Sequence, residues 1–84
     1  MTIIEDNNGN PSDVKIEKQT VTASSGSVTV TFDSNFSETP IVQAIADYSG
    51  EQGVTIDSTS TYDNTEVTLL CEKDTDIHVL VIGQ

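Results

Sequence analysis

Short stretches of alternating apolar and polar residues run through most of this chain. In the clearest stretch, residues 28–32, Val28, Val30 and Phe32 are separated by single threonines. A period of two is the pattern of a strand with one face in a core and the other in water. Similar stretches, bounded by turn-forming residues, predict six strands at residues 14–22, 28–32, 41–48, 54–58, 67–71 and 77–82.

The spacing of these stretches indicates the fold class. Strands that recur every 8–12 residues or so, with turn signals between them, are typical of antiparallel sandwiches and barrels. Val, Ile and Thr make up 29 of the 84 residues, whereas Leu and Ala contribute three each. Because β-branched residues favour sheets and good helix formers are scarce, we predict an all-β protein. The specific expectation is a small six-stranded antiparallel β-sandwich over residues 14–84.

Residues 1–13 are expected to form an N-terminal arm. The Asn-Asn-Gly-Asn-Pro sequence at residues 7–11 interrupts any regular element. Ile3 and Ile4 are the apolar anchors of this arm, and we expect them to dock on the body of the protein or on a neighbouring subunit.

The inward positions of the alternating strands, together with two residues of the loop after the second strand, define the predicted core. This set consists of Val28, Val30, Phe32, Phe36, Pro40, Val42, Ile56, Val67, Leu69, Val79 and Val81. Cys71 shares a strand face with Val67 and Leu69, so we expect a buried and unreactive thiol.

Two predicted strands, 41–48 and 77–82, are apolar on both faces. Strand 41–48 is expected to be a central strand covered on both faces, or covered on one face by another subunit. In a domain of 84 residues, one such face has no partner within the chain, and large exposed apolar faces mark interfaces. We therefore predict a homo-oligomer.

The charge balance narrows the partners and the setting. The chain has 14 acidic residues, three lysines and no arginine, and its net charge is −11. Binding to nucleic acid or to an anionic membrane surface is not expected, because no basic patch is available. No apolar run is long enough to span a bilayer, and the start of the chain lacks the features of a signal peptide. The acidic excess has two explanations. It can provide a solvated surface that keeps the protein soluble in ordinary salt, or it can be an adaptation to high salt, which screens the repulsion between the carboxylates. We expect the second, a halophilic setting.

No catalytic constellation, cofactor motif or metal site is predicted. His78 lies within a strand and is interpreted as a packed or surface histidine. An EF-hand loop starting at Asp6 would need glycine at its sixth position, where Pro11 stands. The candidate ligand or partner contacts are aromatic side chains beside turns and their polar neighbours: Tyr48, Tyr62, Asp63 and Asn64.

The spacing of Val28, Val30, Phe32, Phe36 and Pro40, followed by a terminal strand ending at Gly83, resembles that of the H-type-lectin-like sandwiches. Such sandwiches also occur at the tips of phage tail fibres and in small virion surface proteins. The resemblance implies threefold association and a role in display or recognition. This chain has no tryptophan, and no sugar-contacting residue of the family is carried over to it.

Resemblance and composition together predict a non-enzymatic structural protein on the virion surface of a virus that infects a halophile. It would be a capsid decoration, turret or tail-fibre component. Its expected partners are other copies of itself, most simply as a trimer, and a capsid or tail protein. The alternative is a carbohydrate-binding module that recognises host surface glycans, and a cellular acidic β-domain with another partner also remains open.

Overall fold

The computed structural model describes residues 3–5 and 11–84 of the chain, with side chains for residues 13–84. All regular structure in these residues is β-strand, which confirms the all-β prediction. The strands are β1 (Ile3–Glu5), β2 (Pro11–Asp13), β3 (Lys15–Thr22), β4 (Ser27–Thr31), β5 (Ile41–Asp47), β6 (Thr55–Ile56), β7 (Glu66–Leu70) and β8 (Asp76–Gly83).

Six of these strands form two antiparallel sheets of three strands. The first sheet has the order β3-β8-β5 and the second has the order β4-β7-β6. The chain changes sheet at most connections, so that sequential strands contribute to both layers. Strand β8 is central in the first sheet because β3 and β5 both pair with it along nearly their whole length. The expectation of a central strand at residues 41–48 was wrong, since β5 is an edge strand.

Two local expectations also need correction. The N-terminal arm contains regular structure, since β1 pairs antiparallel with β2 and places Ile3 opposite Asp13. The side chains of Ile3 and Ile4 lie outside the described residues, and their docking stays a prediction. The strand expected at 54–58 is reduced to β6, because Asp57 Oδ1 accepts hydrogen bonds from the amide and hydroxyl of Thr59 and turns the chain.

The core lies between the two sheets. Most of its most deeply buried large side chains come from the central strands β7 and β8. Among the residues predicted for the core, the buried ones are Val30, Phe32, Phe36, Pro40, Val67, Leu69, Val79 and Val81, and Val28, Val42 and Ile56 are partly buried against them. The structure adds Ala23 and Ile77 to this cluster, and it confirms that Cys71 is buried there.

Phe36 holds the long loop between β4 and β5 against the core. Its ring meets that of Phe32 edge to face, with the centroids 5.5 Å apart and the planes at 89°. Such a T-shaped pair is favoured by the quadrupoles of the two rings. The loop therefore closes one end of the core with an aromatic contact.

The turn that connects β3 to β4 depends on positive φ angles. Ser25 has φ of 57° and Gly26 has φ of 92°, and Ser24 and Ser27 exchange two backbone hydrogen bonds across them. Two successive residues with positive φ define the type I′ hairpin turn. The carboxylate of Asp74 accepts a hydrogen bond from the Ser25 amide and helps to hold this turn.

Side chains of β3 close one lateral side of the two layers. Gln19 donates to the carbonyl of Thr31 at 2.8 Å, and Glu17 accepts from the amides of Asp33 and Ser34 at 3.0 and 2.9 Å. Partial burial acts to raise the pKa of Glu17. The hydrogen bonds from Asp33, Gln19 and Ser34 outweigh this effect and hold the pKa below its usual value of 4.5.

Candidate functional site

The outward face of the β3-β8-β5 sheet is the most distinctive surface of the described residues. Its side chains are exposed, apart from two half-buried ones on the central strand. We call it the open face, and it consists of Ile16, Lys18, Thr20 and Thr22 of β3, Asp76, His78, Leu80 and Ile82 of β8, and Ile41, Gln43, Ile45 and Asp47 of β5.

Strand register arranges the open face into rows that run across the three strands. At one end, Ile82 lies opposite both Ile16 and Ile41, so that three isoleucines form one row. At the other end, Asp76 lies opposite Thr22 and Asp47. The face is therefore graded along the strands from an apolar row to an acidic row, with mixed rows between them.

The outward face of the second sheet is different in character. Thr29 and Thr68 lie opposite each other there, with their hydroxyl oxygens 3.1 Å apart. Ser60 donates to the Thr68 hydroxyl, and the Thr68 amide donates to the carbonyl of Thr61. The segment before β7 thus covers this face with polar groups. Five large aliphatic side chains mark the open face, whereas Leu70 is the one exposed on the second sheet.

A chain of hydrogen-bonded side chains crosses the polar half of the open face. His78 Nδ1 lies 3.1 Å from the Thr20 hydroxyl, and His78 Nε2 lies 3.1 Å from Asp47 Oδ2. A ring N–H at Nε2 that donates to Asp47 leaves Nδ1 to accept from Thr20, so a neutral imidazole satisfies both contacts. The side chains of His78 and Asp47 are 55 % and 67 % exposed. This arrangement ties three strands together on an exposed surface, and it lacks the enclosure that general acid–base catalysis uses.

A shallow depression of about 490 Å³ lies over the middle of the open face. Leu80 and Ile45 give it apolar lining, and Lys18, Gln43 and His78 supply polar groups around them. Lys18 carries the only positive charge among the twelve open-face side chains when His78 is neutral. A surface of this composition can pack against another apolar surface or contact a small polar ligand.

Three of the four sequence-predicted contact residues have structural partners. The Tyr62 hydroxyl donates to the carbonyl of Pro40 at 2.6 Å, and the Asn64 amide donates to the carbonyl of Phe36 at 3.0 Å. Asp63 Oδ1 accepts from the Thr65 hydroxyl and from the amides of Thr65 and Glu66. These bonds, the one from the Thr65 hydroxyl foremost, hold the pKa of Asp63 below its usual value of 3.8. Tyr62, Asp63 and Asn64 therefore fasten the loops at one end of the molecule.

Tyr48 lies away from this group. It follows the last residue of β5, whereas Tyr62 is bonded to Pro40, which precedes the first. A strand of this length separates the two ends by roughly 20–25 Å. The structure does not bring Tyr48 and Tyr62 into one site.

The part of the chain that the structure describes contains no cluster of metal-binding side chains. Groups of three or more His, Cys, Asp or Glu side chains in metal-binding geometry are absent among those residues. The Asp6 loop that resembles a calcium site falls largely on residues 6–10, which lie outside the described residues.

Sequence reasoning missed the His78–Asp47 pair and the isoleucine row. The signal for the row was present, since residues 41–48 and 77–82 are apolar on both faces. Register was the missing information, because only the pairing of β8 with both β3 and β5 places Ile16 beside Ile82 and Asp47 beside His78.

No protein-family model matches the sequence, and neither a curated protein nor a solved structure shows significant similarity to it. The described residues include no helix long and apolar enough to cross a membrane.

Proposed function

We propose that this protein is a non-enzymatic structural subunit that assembles with copies of itself on the surface of a virion that infects a halophile. The observation that carries the self-assembly is the open face. Ile16, Ile41 and Ile45 are 58 %, 65 % and 70 % exposed there, whereas the buried hydrophobic core of the described residues has only ten members. Leaving this apolar surface in water costs about 25 cal/mol for each Å², and association recovers part of that cost.

The virion setting is supported by the resemblance to small virion surface sandwiches and by the acidic composition. A net charge of −11 on 84 residues makes association unfavourable in dilute salt and feasible in concentrated salt. The arm at residues 1–13 is the proposed contact with a capsid or tail protein. The resemblance implies threefold association, whereas the proposal itself requires self-assembly without fixing the number of copies.

Light scattering after size-exclusion chromatography tests the self-assembly. In about 3 M salt, where the Debye length is below 3 Å, we expect a mass that is a multiple of 9.0 kDa. In about 0.1 M salt we expect that assembly to dissociate. A monomer at every protein concentration in high salt contradicts the proposal.

Virion incorporation is tested separately by deleting residues 1–13. The truncated protein should fold and self-assemble but fail to attach to particles. If the truncated protein still attaches to particles, the proposed contact between the arm and a capsid or tail protein is contradicted.

A carbohydrate-binding module is the second candidate function. The observation that favours it is the depression on the open face, where Leu80 and Ile45 lie among Lys18, Gln43 and His78. For a glycan-binding protein of this kind, Gln43→Ala should abolish binding on a glycan array. Tyr62→Phe should retain that binding. Retention in Gln43→Ala would exclude the depression as the glycan site.

A further inference from the structure

The two edge strands of the β3-β8-β5 sheet differ in how their outer edges are covered. On the β3 side, Lys15, Glu17 and Gln19 reach across to residues 31–35 and bond to their backbone groups. These contacts hold the β3 edge against the neighbouring sheet. Natural proteins protect edge strands in this way from pairing with other chains.

The β5 side has no comparable cover among the described strands. Strand order leaves β5 with one hydrogen-bonded neighbour, β8. Its seven residues, Ile41–Asp47, contain no lysine, proline or glycine, and the only charge is Asp47 at the end. Ile41 and Ile45, the two most exposed large apolar residues, both belong to this strand. A long, uncharged edge with protruding isoleucines is a template for pairing with another strand.

We propose that β5 pairs antiparallel with β5 of a second copy and joins the two β3-β8-β5 sheets into one six-stranded sheet. A two-fold pairing with full overlap of a seven-residue strand is centred on its middle residue. Ala44 then lies opposite Ala44 of the second copy, and Gln43 lies opposite Ile45. This inference rests on the proposed self-assembly and specifies the contact that produces it.

On the open face, this register sets Ile41 opposite Asp47 of the second copy and Gln43 opposite Ile45 of the second copy. Ile41 and Ile45 of each copy become diagonal neighbours of the isoleucines of the other, within reach of apolar contact. The two Asp47 carboxylates lie at opposite ends of the paired strands, roughly 20 Å apart along the strand direction. At 0.1 M salt that distance is about two Debye lengths, so their mutual repulsion is weak.

The charge distribution permits a second copy at the β5 edge and directs a basic partner elsewhere. Two of the 14 acidic residues, Asp47 and Asp76, lie on the open face, which leaves 12 elsewhere in the chain. A basic protein would be drawn to those other surfaces. The stretch 41–46 carries no charge, so two chains of charge −11 can approach each other there. Since edge pairing buries less than the ~1,200–2,000 Å² of stable interfaces, we expect dimerisation to depend on protein concentration and on salt.

A matched pair of variants tests the contact. Ile45→Lys places a charge on the β5 edge, and Ile16→Lys places the same charge on the open face at the covered β3 edge. By sedimentation in about 3 M salt, which screens charges beyond about 3 Å, we expect the wild type and Ile16→Lys to be dimers. Ile45→Lys should raise the dimer dissociation constant at least tenfold. Circular dichroism confirms that both variants are folded.

An Ala44→Cys variant gives an independent result. The pairing places the two introduced thiols opposite each other, so a mild oxidant should convert the variant to a disulfide-linked dimer. The native Cys71 is 2 % exposed, and the wild type is the control for its reactivity. A Thr20→Cys variant on β3 should remain largely monomeric on reducing-agent-free gels.

The outcomes separate this inference from the proposed function. An assembly that survives Ile45→Lys, including a trimer, overturns the β5 pairing and leaves self-assembly intact. Dissociation of both lysine variants also overturns it and assigns the contact to the whole open face. A wild-type monomer in high salt overturns both proposals. Dissociation by Ile45→Lys alone, with cross-linking of Ala44→Cys, supports the pairing.

Discussion

Gly83 in the last strand lies directly against Pro40, and a Cβ built on Gly83 would stand 2.8 Å from the Cβ of Pro40. The same atom would lie 3.1 Å from the ring of Phe36. The absence of a side chain on Gly83 therefore lets the β4–β5 loop pack against the end of β8. Ser37 continues this contact, since its amide donates to the carbonyl of Gln84 at 2.8 Å.

The first prediction concerns this close approach. Gly83→Ala should lower the free energy of unfolding by about 1–3 kcal/mol, because Pro40 and Phe36 must move to admit the methyl group. Denaturant titration in high salt measures the change. Gly53→Ala is the matched control, since a Cβ there meets nothing within 4 Å. An equal loss in both variants would show that backbone flexibility, and not crowding, is responsible.

A second prediction concerns the carboxylate of Glu17. Its pKa is depressed in the folded protein, so its contribution to stability is present above the unfolded value of 4.5 and is lost as pH falls through the folded value. Glu17→Gln should lower stability by about 1 kcal/mol at neutral pH, after discounting for partial exposure.

The same variant carries a pH signature. The difference in unfolding free energy between wild type and Glu17→Gln should be constant above about pH 5.5, where both the folded and unfolded carboxyls are ionised, and should shrink in acid. Glu38→Gln, at an exposed loop position, is the control and should be nearly neutral. A difference that persists unchanged below pH 3 or so would contradict the ionic origin of the effect.

The third prediction separates a structural role of Tyr62 from a binding role. Tyr62→Phe removes the hydrogen bond to Pro40 and should cost about 0.5–1.5 kcal/mol of stability. Tyr48→Phe should cost little, since the Tyr48 hydroxyl makes no such bond to any residue that the structure describes. Thermal unfolding of the two variants checks this difference. If Tyr62→Phe is as stable as the wild type, the structural role of the Tyr62 hydroxyl is contradicted and Tyr62 is again a candidate ligand contact.

Strand β3 shows why the sequence predicted the fold class better than the site. In β3, Ile16 faces outward, and Lys15, Glu17 and Gln19 occupy the inward positions. The inward polar residues are satisfied by the backbone of residues 31–35. Local periodicity does not report such long-range hydrogen bonds. The covered β3 edge and the isoleucine row could therefore not be predicted from the sequence.

Strand β5 shows the opposite case. Its apolar residues on both faces indicated an exposed apolar surface, and Ile41 and Ile45 are exposed in the structure. That a partner covers this surface stays a prediction, and the expected central position of the strand was wrong. Periodicity reports which faces are apolar, whereas strand order depends on pairing between distant segments. The predicted core followed from local alternation because Val30, Val67, Val79 and Val81 lie on regular strands.

The last prediction concerns salt and the stability of the fold itself. Fourteen acidic residues and three lysines on 84 residues leave most carboxylates without a cationic partner. In the described residues the one ion pair joins Asp47 to His78 and requires a protonated imidazole. Repulsion among the carboxylates should destabilise the folded chain in about 0.1 M salt, where charges interact over about 10 Å, and should be screened in 3 M salt. Near-UV circular dichroism should accordingly show a rising thermal midpoint with potassium chloride and also with sodium chloride. A glucose series of matched viscosity is the control, and a midpoint that does not depend on salt would contradict the halophilic setting.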